Sequence, residues 1–183
     1  MNRKLFDYIA ASPSPYHAVA HSAEKLRAAG FLPLSEGEDW DLTPGQGYYV
    51  TRNGSSLIAF RARRDFSGFL MTASHCDSPT FKIKENAELT GSGCRRLAVE
   101  KYGGMLMSTW MDRPLGIAGR VLLRKGSGIE SRLLDLGGAC AVIPNVAIHM
   151  NRKANDGYAW NPAVDLLPLW GSGEEKGFFR PTL

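Results

Sequence analysis

The spacing of apolar residues changes once along this chain, and that change limits the folds open to it. Up to Gly30 the spacing is helical. Leu5, Tyr8 and Ile9 share one face of a segment over residues 3–11, and Val19, Leu26 and Ala28 mark a second segment reaching about Ala29. Ser12-Pro13-Ser14-Pro15 separates them, with Ser14 as N-cap, Pro15 as first helical residue and Gly30 as the stop. After Gly30 the period becomes that of strands. Gly47-Tyr48-Tyr49-Val50-Thr51-Arg52 and Ser56-Leu57-Ile58-Ala59-Phe60-Arg61-Ala62 flank Asn53-Gly54, a strong hairpin signal. Phe66 to Ser74 reads as a third strand, apolar enough to be central in a sheet. Residues 1–84 therefore predict an α/β unit whose buried strand ends at His75.

From about Glu85 the texture is β-rich. Strand-like pieces recur at Leu97–Glu100, Met105–Trp110, Gly119–Arg124, Glu130–Asp135 and Ala141–Ile143, with Gly-rich turns such as Lys125-Gly126-Ser127-Gly128 between them. No internal repeat is evident, and the tail after Asn151 is polar and rich in Gly and Pro. A boundary is expected near residues 83–90, giving units over 1–86 and 87–183.

A hydrophobic share of 44% supplies enough apolar material for a core. The net charge of +4 comes from cations interleaved with acids, so no basic stripe for nucleic acid is present. Cys76, Cys94 and Cys140 are odd in number, widely spaced and without a CxxC pair, which argues against a disulfide framework or a cysteine zinc site and fits a reducing cytoplasm. The apolar stretch at the N-terminus is short and interrupted by Asp7, unlike a signal peptide, and no run is long enough to span a bilayer. A cytoplasmic chain without membrane contact is expected.

The chemistry-bearing string is Ala73-Ser74-His75-Cys76-Asp77-Ser78-Pro79. A His two residues before an Asp, after an apolar run, suits half of a metal site: the ring ligates and the carboxylate fixes its geometry. Ligands in open α/β sheets gather at the C-terminal ends of strands. The alternative for His75 is a hydrogen-bonded structural histidine. His149, within Ile143–Arg152, alternates with apolar neighbours and by itself reads as structural or surface. His17 and His21, four apart on the second helix, have a chelating spacing but no further ligand, and read as helix surface or packing residues. Glu174-Glu175 could supply a metal ligand and a base, yet no buried strand precedes them, so an exposed loop is expected. Met105, Met107, Trp110 and Met111 read as core or subunit interface. No GxGxxG, P-loop or GxSxG appears in a fitting context.

Taken together, several strings resemble the M18 family, the aspartyl aminopeptidases. They are Phe6-Asp7-Tyr8 through Ala11–Val19, Arg52–Phe60, Ser74–Lys84, Tyr102-Gly103-Gly104, Thr109–Leu115, Ala118–Val121, Ile143–Arg152 and Asp165–Leu169. The resemblance runs in order from residue 1 to about 170. It implies an α/β catalytic domain with an inserted β-rich dimerisation domain, and a zinc-dependent exopeptidase that removes N-terminal residues, preferably acidic ones. It implies a site of two Zn2+ ions, with Mn2+ or Co2+ as possible substitutes, and a homo-oligomer formed through the β-rich domain. By that pattern His75 is a metal ligand and Asp77 orients it. His149 matches the histidine that the β-rich domain presents to a neighbouring subunit's substrate.

The chain departs from the family in length. The bridging aspartate, the paired glutamates and the other ligands of the family lie in a C-terminal part that it lacks, and Glu174-Glu175 do not replace them. The resemblance therefore implies an N-terminal segment with a partial zinc-exopeptidase sheet, inactive alone, whose exposed edge and apolar patches seek a partner. A non-catalytic assembly fragment and a related binuclear zinc aminopeptidase family are the alternatives. Lys82, Arg113 and Arg152 are possible partners for an acidic substrate, with nothing in the sequence to choose among them.

Overall fold

The structure, a computed structural model, describes residues 2–65 and 67–182. It forms two compact units, Met1–Ser78 with Gly119–Leu133, and Pro79–Ala118 with Leu134–Leu183. The expected division at 86/87 falls within a strand of the second unit.

In the first unit, α1 spans Asn2–Ala10 and α2 spans Pro15–Ala28. Ser14 caps α2 by accepting from the His17 amide, Pro15 sits in the first turn, and Gly30 ends the segment at φ 81°. The inward face of α2 buries Ala18, Val19 and Ala23. It packs on a sheet of β1 (Leu32–Leu34), β2 (Gly47–Arg52) and β3 (Ser56–Arg61), in the order β1-β2-β3. The β1–β2 pair is parallel and the β2–β3 pair antiparallel. Asn53 and Gly54 both have positive φ, 53° and 64°, and Ser55 N donates to Arg52 O at 3.1 Å, which is the turn that the sequence predicts. Tyr48 and Tyr49 are buried because their hydroxyls are used: Thr43 N donates to Tyr48 and Arg27 donates to Tyr49. Gly47 is required by space, since a Cβ there would lie 2.7 Å from the Phe31 ring.

The third expected strand does not form. Phe66 lies outside the described residues, and no residue from Ser67 to Pro79 is in a strand. Phe69, Leu70 and Met71 are 78%, 101% and 80% exposed. An apolar run becomes a central strand only if neighbours take its backbone hydrogen bonds on both edges and cover both faces. The sheet of this unit closes its pairings without residues 67–74 and leaves β3 as an edge.

The hairpin of β6 (Ala118–Lys125) and β7 (Gly128–Asp135) forms where the sequence spacing suggests strands, but it belongs mostly to the first unit rather than to the β-rich stretch 87–183. Arg120 joins it to the first hairpin by donating to Asn53 O at 2.8 Å, with its guanidinium 4.3 Å from the centre of the Tyr16 ring.

The second unit is built on β4 (Thr80–Gly91), β5 (Cys94–Tyr102) and β8 (Leu169–Ser172), antiparallel in the order β4-β5-β8. Ser92 and Gly93 turn the β4–β5 hairpin with φ 55° and 72°. One core holds Ala87, Leu97, Val99 and Phe179, and a second holds Met111, Ile143 and Leu166. The expected strand at Met105–Trp110 is instead a loop and a 3-10 turn, Met107–Trp110. The run finds no ladder partner, and Trp110 turns in to meet Phe81 edge-on at 5.2 Å. Ala141–Ile143 makes only isolated bridges, to Leu115, Leu169 and Met111.

Glu88 ties the chain end to this sheet. Its carboxylate accepts from the amides of Phe179, at 2.9 Å, and Gly177. These bonds, that to Phe179 foremost, hold its carboxyl below the usual carboxylate range. The clamp contributes fully at pH above that range and is lost as pH falls through it toward the lower folded value. Glu88→Gln should therefore lower stability at pH 7, with the difference from the parent narrowing toward pH 3 in acid titrations followed by circular dichroism. Leu97→Ala, at a site 1% exposed, should cost about 2–5 kcal/mol in urea unfolding of the second unit. Leu70→Ala should change stability by less than about 0.5 kcal/mol.

Candidate metal centre

His75 sits at the end of the irregular segment that follows β3, and the turn through Cys76 brings Asp77 back to it. Asp77 Oδ1 lies 2.9 Å from His75 Nδ1. The His75 side chain is 90% exposed and that of Asp77 29%. An ionised carboxylate only accepts, so Nδ1 donates, and in the neutral form of such a ring the lone pair lies on Nε2. This is the arrangement in which a carboxylate fixes tautomer and ring orientation for a metal-binding histidine. The spacing His-x-Asp is what permits it, since one intervening residue lets both side chains lie on the same side of the turn.

The donor set stops there. Among the described residues no three His, Cys, Asp or Glu side chains converge on a point that would hold a metal. A zinc site needs three or four ligands, so one histidine with its orienting carboxylate does not complete one.

The other sequence candidates have separate places. His17 Nδ1 lies 2.7 Å from Ser14 Oγ at the start of α2. His21 stacks at a tilt against Tyr8, 5.6 Å between ring centres, and approaches Glu24 at 4.0 Å. Both serve the helices. Glu174 accepts from Gly93 N at 2.7 Å and so closes the β4–β5 turn from an exposed loop. The three cysteines are free and partly buried. His149 lies in the second unit on an exposed turn closed by Met150 N to Ala147 O, 2.8 Å. Arg113 donates to Thr109 O at 3.4 Å, and Lys82 and Arg152 are exposed. Sequence reasoning passed over Asp112, which lies inside a quoted string and has the left-handed φ of 55°. An aspartate in a Trp-Met-Asp-Arg-Pro string gives no spacing signal of its own.

The family profile described as Aminopeptidase I zinc metalloprotease (M18) matches residues 8–179. The chain belongs to the M18 aminopeptidase family. A probable M18 family aminopeptidase 2 of Pseudomonas putida (strain GB-1) is 44% identical over 188 residues, covering 100% of this chain and 44% of the relative. The protein of the same description from Pseudomonas paraeruginosa (strain DSM 24068 / PA7) is 47% identical over 172 residues, covering 92% and 40%. The chain thus spans less than half the length of these curated M18 relatives. Among solved structures, the cryo-EM structure of the Ape4 and Nbr1 complex superposes with TM-score 0.86 at 38% identity, over 95% of this chain and 34% of that one. The Saccharomyces cerevisiae mApe1 dodecamer superposes with TM-score 0.70 at 34% identity, over 80% and 36%. The mixed α/β architecture is that of M18 structures.

The His75–Asp77 bond is open to a direct test. Asp77→Ala should abolish the Nδ1–H bias of the His75 ring in 15N-detected NMR of the metal-free chain. Asp77→Asn keeps an acceptor oxygen and should preserve part of that bias.

Proposed function

We propose that this chain is the N-terminal part of a cytoplasmic M18 metalloaminopeptidase that releases N-terminal residues, preferably Asp or Glu, from peptides. The observation that carries the reading is the His75–Asp77 pair, 2.9 Å apart, inside a chain whose family profile names a zinc metalloprotease. In this reading His75 ligates Zn2+ through Nε2, Asp77 holds the ring, and His149 contacts substrate in a neighbouring subunit. The complete site takes two Zn2+ ions, with Mn2+ or Co2+ as substitutes. Bound zinc would supply Lewis acidity and an activated water. The remaining ligands belong to the part of the family's length that this chain does not span.

Residues 67–74 fit the same reading. They are exposed, carry the apolar Phe69, Leu70 and Met71 and are strand-like in sequence, and β3 of the same unit is an edge strand. Strands from the remainder of the family fold would pair there. The β-rich unit, 87–183, is proposed as the inserted dimerisation domain of a homo-oligomer; a dodecamer is described for the yeast relative. Neither nucleic acid nor membrane is a partner in this reading. Among the described residues no helix is long and apolar enough to cross a membrane.

A second reading, a non-catalytic assembly fragment, is favoured by one observation: Leu5, Phe6 and Ile9 of α1 are 56%, 63% and 60% exposed and form an apolar stripe. The two readings separate in an assay of an aspartyl chromogenic substrate with added Zn2+, Mn2+ or Co2+. The 183-residue chain should release no product above its His75→Ala control. Mixed with a polypeptide equivalent to the uncovered part of the Pseudomonas putida relative, it should gain metal-dependent release. In that mixture Asp77→Ala should weaken zinc affinity about 10–100-fold. A stable mixture that binds no zinc and hydrolyses nothing would favour the assembly reading.

A further inference from the structure

The second unit holds its exposed turn at His149 by an unusual residue. Met111 and Ile143 are buried at 9% and 0% exposure and bridge to each other in parallel. The residue after Met111, Asp112, then turns into the left-handed region at φ 55°. Its amide donates to Ile143 O at 2.9 Å. Its Oδ1 accepts from Asn145 N at 2.8 Å. Pro144 between them has no N–H to offer. Among the described residues Asp112 satisfies both the backbone carbonyl and the backbone amide on either side of that proline.

From this clamp the chain runs straight into the His149 turn. Asn145 Oδ1 accepts from Val146 N at 2.9 Å, and the Ala147–Met150 bond closes the turn that carries His149. Only a short stretch separates the clamp from His149, and its first hydrogen bond to the rest of the unit is the one Asp112 accepts.

We infer that Asp112 is a positioning residue for His149: its left-handed backbone and its carboxylate together fix where the chain leaves the buried Ile143 and so where His149 is presented. The inference rests on the substrate-contacting role proposed for His149. It also explains the residue type. Glycine adopts φ 55° without cost but has no side chain to accept from Asn145. Most residues with an acceptor do not tolerate the left-handed region. Aspartate and asparagine do both.

Three variants of the 183-residue chain, followed by amide hydrogen exchange and NMR, test this. Asp112→Gly keeps the backbone and removes the acceptor. It should speed exchange at Asn145 about tenfold, the loss of one such hydrogen bond. It should also shift the His149 ring signals, while the Leu97 amide, which donates to Pro168 O at 3.0 Å, keeps its protection. Asp112→Asn should restore both the Asn145 protection and the His149 signals. Asp112→Ala, lacking acceptor and left-handed tolerance, should show the largest change at Asn145 and His149. Unchanged Asn145 exchange and His149 signals in Asp112→Gly would overturn the inference. So would loss of Leu97 protection in step with Asn145, which would make Asp112 a residue of the core fold. Failure of Asp112→Asn to restore the parent pattern would overturn it too. The reading on which it rests fails separately: full hydrolysis by His149→Ala in the reconstituted mixture would remove the substrate role and leave the exchange rates untouched.

Discussion

Backbone N–H and C=O groups must be paired once they leave water, and the order of this fold follows from where pairs are found. In the first unit β2 pairs on both sides, with β1 and β3, and its side chains Tyr48, Tyr49 and Val50 are the most buried of that sheet. In the second unit β5 has the same place between β4 and β8, and Leu97 and Val99 on it are 1% and 3% exposed. Burial follows pairing: a strand with two neighbours is covered at both edges, so its side chains can form a core. Residues 67–74 have the composition of such a strand but enter no ladder. They are exposed and outside any strand, and the requirement that builds β2 and β5 is not met for this run.

The second unit solves a related problem, holding long irregular connections to a three-stranded sheet, with carboxylates placed on backbone amides. Glu88 takes the amides of Gly177 and Phe179, Glu174 takes that of Gly93, and Asp112 takes that of Asn145. An ionised acceptor makes a stronger hydrogen bond than a neutral one, and each of these spans a wide separation in the chain. The segments after β7 contain few regular strands, so these contacts do the work that ladders do elsewhere. The His149 turn and the chain end both hang from such a contact.

At His75 the structure is simple. One carboxylate orients one imidazole, and the ring's second nitrogen is left open. That geometry needs only two side chains separated by one residue, so it survives on a segment without secondary structure. A catalytic metal needs several ligands brought from distant parts of a sheet. The M18 relatives are more than twice as long as this chain, and the proposal places the missing ligands in that extra length.

The local features were legible in the sequence because their causes are local. Ser14 and Pro15 start α2 and Gly30 ends it; Asn53-Gly54 makes the first hairpin; the Gly126 turn joins β6 to β7; His75 reaches Asp77 across one residue. Each depends on a cap, a left-handed residue or a short spacing. The strings shared with M18 aminopeptidases likewise carried the family. What the sequence could not settle were matters of partnership. Apolar content suggested a central strand over residues 66–74, and spacing a strand-like piece over Met105–Trp110, yet in the described residues neither finds a ladder. The isolated Asp112 carried no pattern until the fold brought Ile143 and Asn145 to it. Period and composition state what a segment can do. Only the tertiary arrangement decides whether a neighbour is there to receive its hydrogen bonds, because those neighbours lie far away in the chain.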